Sequence, residues 1–279
     1  MPALVTDAAE LARDESPAGR YAATFAREGT AALIANAGSQ PMLLRHGGRS
    51  FPVTVDDGGF GRSYVASPHS AYVLYAREEM AIVGMRRGRR VTGAALALLD
   101  RMLRAARFNH AVHLDNWLLS TNLHGNWDGA GLPAIRATLA ERFPDHFVIL
   151  RSLDVWSCPA LLDAARADGW VMLPARQVWV VDDLARDWLP RSNHGNDRRA
   201  LARSGLIVET PERIDAGDAA RIAELYHMLY IGRYSALNPV FTARYVAFTA
   251  ETGLLRYRIA REPGGRIMAV AGMLARNGI

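Results

Sequence analysis

Apolar positions along this chain follow two alternating rhythms. Helical spacing runs over residues 20–37, with Tyr21, Phe25, Ala32 and Ile34 among the apolar positions. Residues 41–57 (PMLLRHGGRSFPVTVDD) hold two short apolar runs around a Gly-Gly pair, the pattern of a β-hairpin. A glycine-rich loop covers 58–61. Residues 69–83 have helical spacing, although their AIV end also fits a strand. Over 92–108, Leu96, Leu99 and Leu103 share one face while Arg101, Arg104 and Arg107 line another, which predicts an amphipathic helix.

From there strands and helices alternate. The pattern predicts a strand over 110–117, a helix over 132–143, a strand over 146–153 and a helix over 158–168 closed by Gly169, with Pro159 near its first turn. Two β-rich runs follow, 170–175 (WVMLPA) and 177–183 (QVWVVDD). A polar helix leads to a strand across 183–209, helices are expected over 218–231 and 242–252, and residues 254–274 read as a hairpin turning at Pro-Gly-Gly. Strands alternating with helices of this length imply an α/β fold with partly parallel strands. Residues 1–17 carry four acids and end at Pro17, and they read as a tail. The two hairpins echo each other through a Leu-Leu-Arg start and a Gly-Gly-Arg turn. After the second hairpin only five residues remain, so its last strand is expected to lack a cover on its outer edge, and the chain reads as cut inside a second lobe.

Composition narrows the chemistry. All 33 basic residues of the 279 are arginines, against 28 acids and a single cysteine. The absence of lysine excludes a Walker-A phosphate loop and Schiff-base or pyridoxal-phosphate chemistry of the usual kind. One cysteine excludes an internal disulfide framework. Half the residues are hydrophobic and 22% charged, as in ordinary globular proteins. No apolar run reaches the roughly 18–20 residues of a membrane span, and the acidic start lacks a signal-peptide core, which points to a cytoplasmic protein. The net charge of +5 suits an anionic partner, but a codon bias toward arginine explains it equally well.

Candidate chemistry falls in four places. Arg90, Gly93 and Ala95 stand directly before the expected 92–108 helix, where small residues let backbone amides approach a phosphate and Arg90 acts as a clamp; an ordinary exposed helix start fits as well. Residues 113–129 concentrate Asn116, Ser120, Thr121, Asn122, His124 and Asn126 after a strand, and the next elements end in Arg151 and Arg176. Polar groups at strand carboxyl ends mark either a ligand crevice or capped turns, and the sequence favours neither. His110 and His113 lie three apart on a strand and face opposite sides, so they cannot chelate together and no metal site is expected. His113 and Asp115 share a face and form a candidate base with its orienting partner, beside the plainer reading of a structural histidine. Cys158 starts a helix and reads as a buried small residue. Tyr226, Tyr230 and Tyr234 recur every fourth residue ahead of Asn238-Pro239. They suit a core or a groove wall, with Tyr230 and Asn238 lining it and Tyr234 a candidate general acid.

Residues 169–275 resemble the acyl-CoA N-acyltransferase (GNAT) superfamily, nearest to its two-lobed, Fem-type branch. The likeness rests on Asn196, Arg198, Arg199, Arg203 and Gly205 in an Arg-rich helix before a Gly-hydrophobic strand. Gly265, Arg266, Ile267 and Ala271 in a strand-turn-strand add to it. It covers about 110 residues, with a looser fit over the first lobe. The resemblance implies a mixed α/β (α+β) sheet flanked by helices, with a first lobe over 18–183 and an incomplete second lobe over 184–279. It also implies transfer of an acyl or aminoacyl group from acyl-CoA or aminoacyl-tRNA to a small-molecule or peptide amine, with nucleic acid present only as a tRNA donor. In this superfamily the phosphate-binding turn follows the fourth strand, which in the second lobe is the last element present. The competing readings are an arginine-rich RNA- or polyanion-binding module using Arg86, Arg87, Arg89, Arg90, Arg101 and Arg104, and a non-catalytic scaffold.

Overall fold

The computed structural model describes residues 1–276 and has a mixed α/β architecture with two sheets. The larger sheet holds β1 (Ala3–Val5), β2 (Gln40–His46), β3 (Arg49–Asp57), β4 (His110–Leu114) and β5 (Phe147–Leu150) in that order. Neighbours are antiparallel as far as β4, and β4 and β5 run parallel. The first hairpin forms as the pattern predicts. Gly47 and Gly48 both take positive φ (56° and 76°), the backbone a two-residue turn of this kind requires.

Side-chain alternation divides the core between the two faces of this sheet. Leu43 faces Tyr21, Phe25, Leu33 and Trp117 on one side. Its neighbour Leu44 faces Val53, Leu114, Ile135, Leu139 and Leu161 on the other. The first face is covered by α2 (Pro17–Glu28) and α3 (Thr30–Leu33), which break at Gly29 instead of forming the single helix expected over 20–37. The second is covered by α6 (Leu132–Arg142) and α7 (Pro159–Ala167), both within a residue or two of expectation. Cys158 caps α7 and is buried, and burial raises its thiol pKa.

Residues 1–17 are not a tail. β1 pairs with β2 through Ala3–Arg45 and Val5–Leu43, and α1 (Ala8–Leu11) buries Leu11. Asp14 binds Arg45 Nε at 2.8 Å and accepts from Ser50 Oγ at 3.0 Å. Burial works against that carboxylate, but the bonds from Ser16, Arg45 and Ser50 outweigh it and hold its pKa at about 2. A three-residue strand is too short to show a period, and two of the four acids, Glu10 and Asp14, pair with Arg45 of the sheet.

Residues 69–83 form a π-helical stretch, Ser70–Leu74, running into α4 (Tyr75–Ile82). Next, α5 (Arg89–Ala105) starts from Gly88, earlier than the pattern suggested. The runs 170–175 and 177–183, expected as strands, pair with no strand among the described residues. Val171, Leu173, Val178, Trp179 and Val180 are exposed there. Their β-rich composition is real, but a strand forms only against a neighbouring edge.

The remainder comprises α8 (Leu184–Asp187), α9 (Ser192–Ser204), β6 (Ile207–Glu209), α10 (Ala216–Tyr226), a π-helical stretch His227–Tyr234, α11 (Ala243–Glu251), β7 (Arg256–Arg261) and β8 (Ile267–Met273). β6, β7 and β8 make an antiparallel sheet, backed by Ala219 and Ile222 of α10 and Val246 of α11. Tyr245 and Phe248 of the same α11 enter the first core. The joint is reinforced by Arg244 on Glu28 at 2.8 Å, an Ile34–Phe241 bridge, and Asn36 bonded to Ala236, Asn238 and Val240. No helix among the described residues is long and apolar enough to cross a membrane.

Asp56 on β3 is a buried carboxyl that accepts from Ser39 Oγ at 2.7 Å, with Arg62 at 3.5 Å. Burial pushes its pKa up to about 6, only partly offset by Ser39 and Arg62. A carboxyl that holds its proton more tightly when folded makes stability fall as pH rises through the interval between the unfolded and folded values. Relative to Asp56→Asn, wild type should therefore lose on the order of 2 kcal/mol between about pH 4 and about pH 6.5. Urea unfolding of the two proteins across that range measures the difference.

Candidate functional site

Because β4 and β5 are parallel, the chain leaves both strands at the same edge of the sheet, a placement that favours ligand sites in α/β proteins. Both exits are tight. Asp115 (φ 49°), Leu118 (φ 52°) and Ser152 (φ 63°) adopt left-handed backbone there. An aspartate tolerates that conformation, whereas for leucine it costs roughly 1–2 kcal/mol. Such conformations persist only where surrounding bonds hold them in place.

Those bonds centre on Asp115 and Arg151. Asp115 Oδ1 accepts from Trp117 Nε1 at 2.9 Å, and Oδ2 lies 2.7 Å from His124 Nδ1. His124 Nε2 lies 2.8 Å from the Arg151 carbonyl oxygen, so both ring nitrogens face acceptors and both are satisfied when each carries a hydrogen. Asn116, fully buried, donates to Thr54 Oγ1 and accepts from the Leu118 amide and from Arg151. Asn122 accepts from the Trp117 amide, and its own amide donates to Ser152 Oγ. The two exit loops are thus stitched to each other.

Arg151 closes this network from the other side. Its Nη1 donates to the carbonyls of Val65 at 3.0 Å and Leu119 at 3.4 Å as well as to Asn116. Burial pulls its pKa down to about 10, with Arg176 pulling the same way and Tyr64 and Tyr72 opposing. The guanidinium remains charged at neutral pH. Beyond it, Tyr64 OH pairs with Ser120 Oγ at 2.6 Å, its ring meets Tyr75 edge-on at 5.0 Å, and the exposed Arg176 stacks over it at 4.6 Å. The tyrosine ladder approaches from the second sheet's side. Tyr226 and Tyr230 stack at 4.6 Å, and Tyr234 follows at 6.3 Å with an exposed ring. Burial raises the Tyr226 pKa, and the nearby phenols of Tyr64, Tyr230 and Tyr75 add to it. The surface is a wall of tyrosines around two arginines.

Several expected residues meet here: Asn116, Ser120, Asn122, Arg151 and Arg176, with Thr121 partly exposed in the same loop. Asn116 and Asn122 serve the turns, while Ser120, Arg151 and Arg176 belong to the aromatic-cationic wall. Asn238 donates to the carbonyls of Tyr230 and Ser235 and so closes the loop after the tyrosines. The expected His113–Asp115 pair does not form. The left-handed turn at Asp115 ends the alternation of β4 and sends the carboxylate to His124 instead. His113 is buried, and that burial, with Arg151 adding, holds its pKa near 3, so it is neutral and takes no part as a base at ordinary pH. Arg90, Gly93 and Ala95 are not a turn before a helix but lie inside α5, where helical bonding occupies the amides of Gly93 and Ala95. His124, named within the polar density of 113–129, takes the place expected of His113 as the partner of Asp115, whereas nothing in the sequence pointed to Tyr64 or Tyr72.

A cleft of about 280 Å³ lies on the other flank of Trp117, between Arg20, Tyr21, Phe248, Thr252 and Arg276. It is separate from the arginine-tyrosine wall. Arg276 stacks on Trp117 at 3.9 Å and donates to the Leu123 carbonyl, so it screens the Asp115 side of the loop from this cleft.

Asp115→Asn keeps the side-chain shape and the tolerance for left-handed backbone but removes the charge facing His124. It should cost about 3 kcal/mol in urea unfolding, and Asp115→Ala about 1 kcal/mol more because alanine is also strained at this φ. Compared with family models, with curated proteins and with solved structures, the chain matches none of them.

Proposed function

We propose that the chain transfers an acyl or aminoacyl group from a thioester or aminoacyl-tRNA donor to an amine, and that it holds the donor's anionic part against Arg151 and Arg176. The observation that carries this reading is the pair of guanidiniums beside Tyr64 at the carboxyl ends of the parallel β4 and β5. Arginines bind phosphate or carboxylate oxygens through directed donors. The tyrosine wall offers flat apolar area to an acyl chain or a nucleobase. In the superfamily that the sequence resembles, the phosphate-binding turn follows the fourth strand, and here residues 115–131 follow β4. That loop replaces the 90–95 segment as the donor-facing turn.

In the transfer, the amine nitrogen attacks the donor carbonyl and the carbon–sulfur or ester carbon–oxygen bond breaks; the nitrogen releases one proton, which restores the proton donor, and the leaving thiolate or alkoxide takes one proton. Tyr64 OH, between Ser120 Oγ and Arg176 Nη1 at 3.5 Å, is the hydroxyl positioned to supply it. Tyr234 sits at the exposed end of the ladder, nearer to where an acceptor would enter. Asp115 is committed to His124 and Trp117, so it orders the loop rather than accepting a proton.

Arg176→Gln removes one exposed guanidinium without opening the core. It should weaken binding of acyl-CoA or aminoacyl-tRNA about tenfold or more while leaving Tm unchanged. Unchanged donor affinity would remove the arginine pair from the site. A second reading is favoured by one observation: Arg86, Arg87, Arg89 and Arg90 are all exposed around the start of α5, where like charge opposes the helix dipole and an anion would relieve it. Arg104 is not available in the same way, being bound to Asp100 at 2.7 Å. A polyanion held by this cluster should dissociate steeply as salt rises, whereas acyl-CoA binding at Arg176 should depend on salt much less.

A further inference from the structure

At the opposite ends of β4 and β5, about 16 Å along the strands from the Asp115 loop, three side chains with metal-binding atoms converge. Asp57 is the last residue of β3, and His110, directly across from it, is the first of β4. His146 immediately precedes β5, the parallel neighbour of β4. One ligand-type atom from each of the three lies within 4.8 Å of the others. His146 Nε2 is 3.1 Å from Asp57 Oδ1, and the two imidazoles meet edge-to-face at 5.5 Å.

The surroundings hold this arrangement in place. His146 is packed against Phe143 at 5.6 Å, and its side chain is only 14% exposed. His110 Nε2 lies so close to Gly58 that a Cβ there would sit 2.6 Å from it, so only glycine leaves room for the ring. Arg107, in left-handed backbone (φ 54°), brings Nη2 to 3.3 Å from His110 Nε2 and so occupies a lone pair that would otherwise point outward. Asp57, the most exposed of the three, accepts only a long 3.4 Å bond from Gln40 at its second oxygen.

We propose that Asp57, His110 and His146 bind a divalent transition metal ion of the zinc class. Two imidazoles and one carboxylate are the donor set that such ions prefer over magnesium or calcium, and three protein ligands leave a position for water or an exogenous ligand. Ligands about 2.0–2.2 Å from one ion sit roughly 3.4 Å apart; Asp57 Oδ1 and His146 Nε2 already meet that spacing at 3.1 Å, so binding requires His110 to close on them by on the order of 1 Å at most. The site spans three adjacent strands. That is why the His110–His113 spacing on a single strand spoke against a metal: His110 finds its partners across the sheet.

Untagged protein stripped with chelator and titrated with Co(II) tests the proposal by the ligand-field absorption of the bound ion, and calorimetry with Zn(II) gives stoichiometry and affinity. One ion per chain is expected. His110→Ala, His146→Ala and Asp57→Asn should each weaken Zn(II) binding at least tenfold, and Arg107→Gln should tighten it by freeing His110 Nε2. Metal-free circular dichroism and Tm of each variant report whether the fold is kept. Should His146→Ala unfold, Asp57→Asn at its exposed position decides the matter. Absence of stoichiometric binding, or binding that all three ligand substitutions leave unchanged, overturns the proposal. A fall in metal-free Tm with no ion bound by wild type would reduce the cluster to a tie between strand ends.

Discussion

The parallel seam between β4 and β5 is the constraint on which the rest of the molecule depends. Parallel strands need a crossover, and α6 supplies it on one face of the sheet. Both strand exits therefore open on one edge, where the chain must turn sharply twice in close quarters. The Asp115–His124 contact and the bond from His124 to the Arg151 carbonyl clamp the two exits together. Without that clamp, left-handed Leu118 and Ser152 would relax. Arg151 would then lose the three acceptors that hold its charge in place. The wall of tyrosines and arginines is built on this clamp rather than beside it.

Much of the fold was legible in the sequence because its elements have clear periods. The β2–β3 hairpin, α5, α6, α7 and the β7–β8 hairpin all follow apolar spacing bounded by Gly or Pro. Failures came where the deciding partner is distant in sequence. Ala3–Val5 is too short to show a period and is identified only by the β2 edge it joins. The 170–183 runs carry valine and tryptophan as a strand would, yet no described edge receives them. The site followed the same rule. Polar density marked the 113–129 loop correctly, but alternation along β4 could not reveal that the backbone turns left-handed at Asp115 and sends its carboxylate nine residues on to His124. Tyr64 reaches the wall from a loop whose sequence gives no sign of it.

Arginine alone carries the positive charge, and the structure divides that charge by environment. Arg45, Arg244 and Arg261 are spent in ion pairs that fasten one element to another. Arg151 is held among carbonyls and an amide, with no carboxylate bonded to it among the described residues. A lysine in its place would shed its proton more easily when enclosed. Arg151 makes its three bonds through Nη1 and stays cationic at neutral pH.

Helix α11 belongs to two interiors at once. Tyr245 and Phe248 complete the core beneath the larger sheet, and Val246, on its other side, lies over the smaller one. Three strands with a short helical backing bury little on their own. By lending one helix to both, the chain makes loss of the small sheet expose aromatic rings of the large one. The two regions are therefore bound into one cooperative unit, in which partial melting from the small-sheet side is penalised before it spreads.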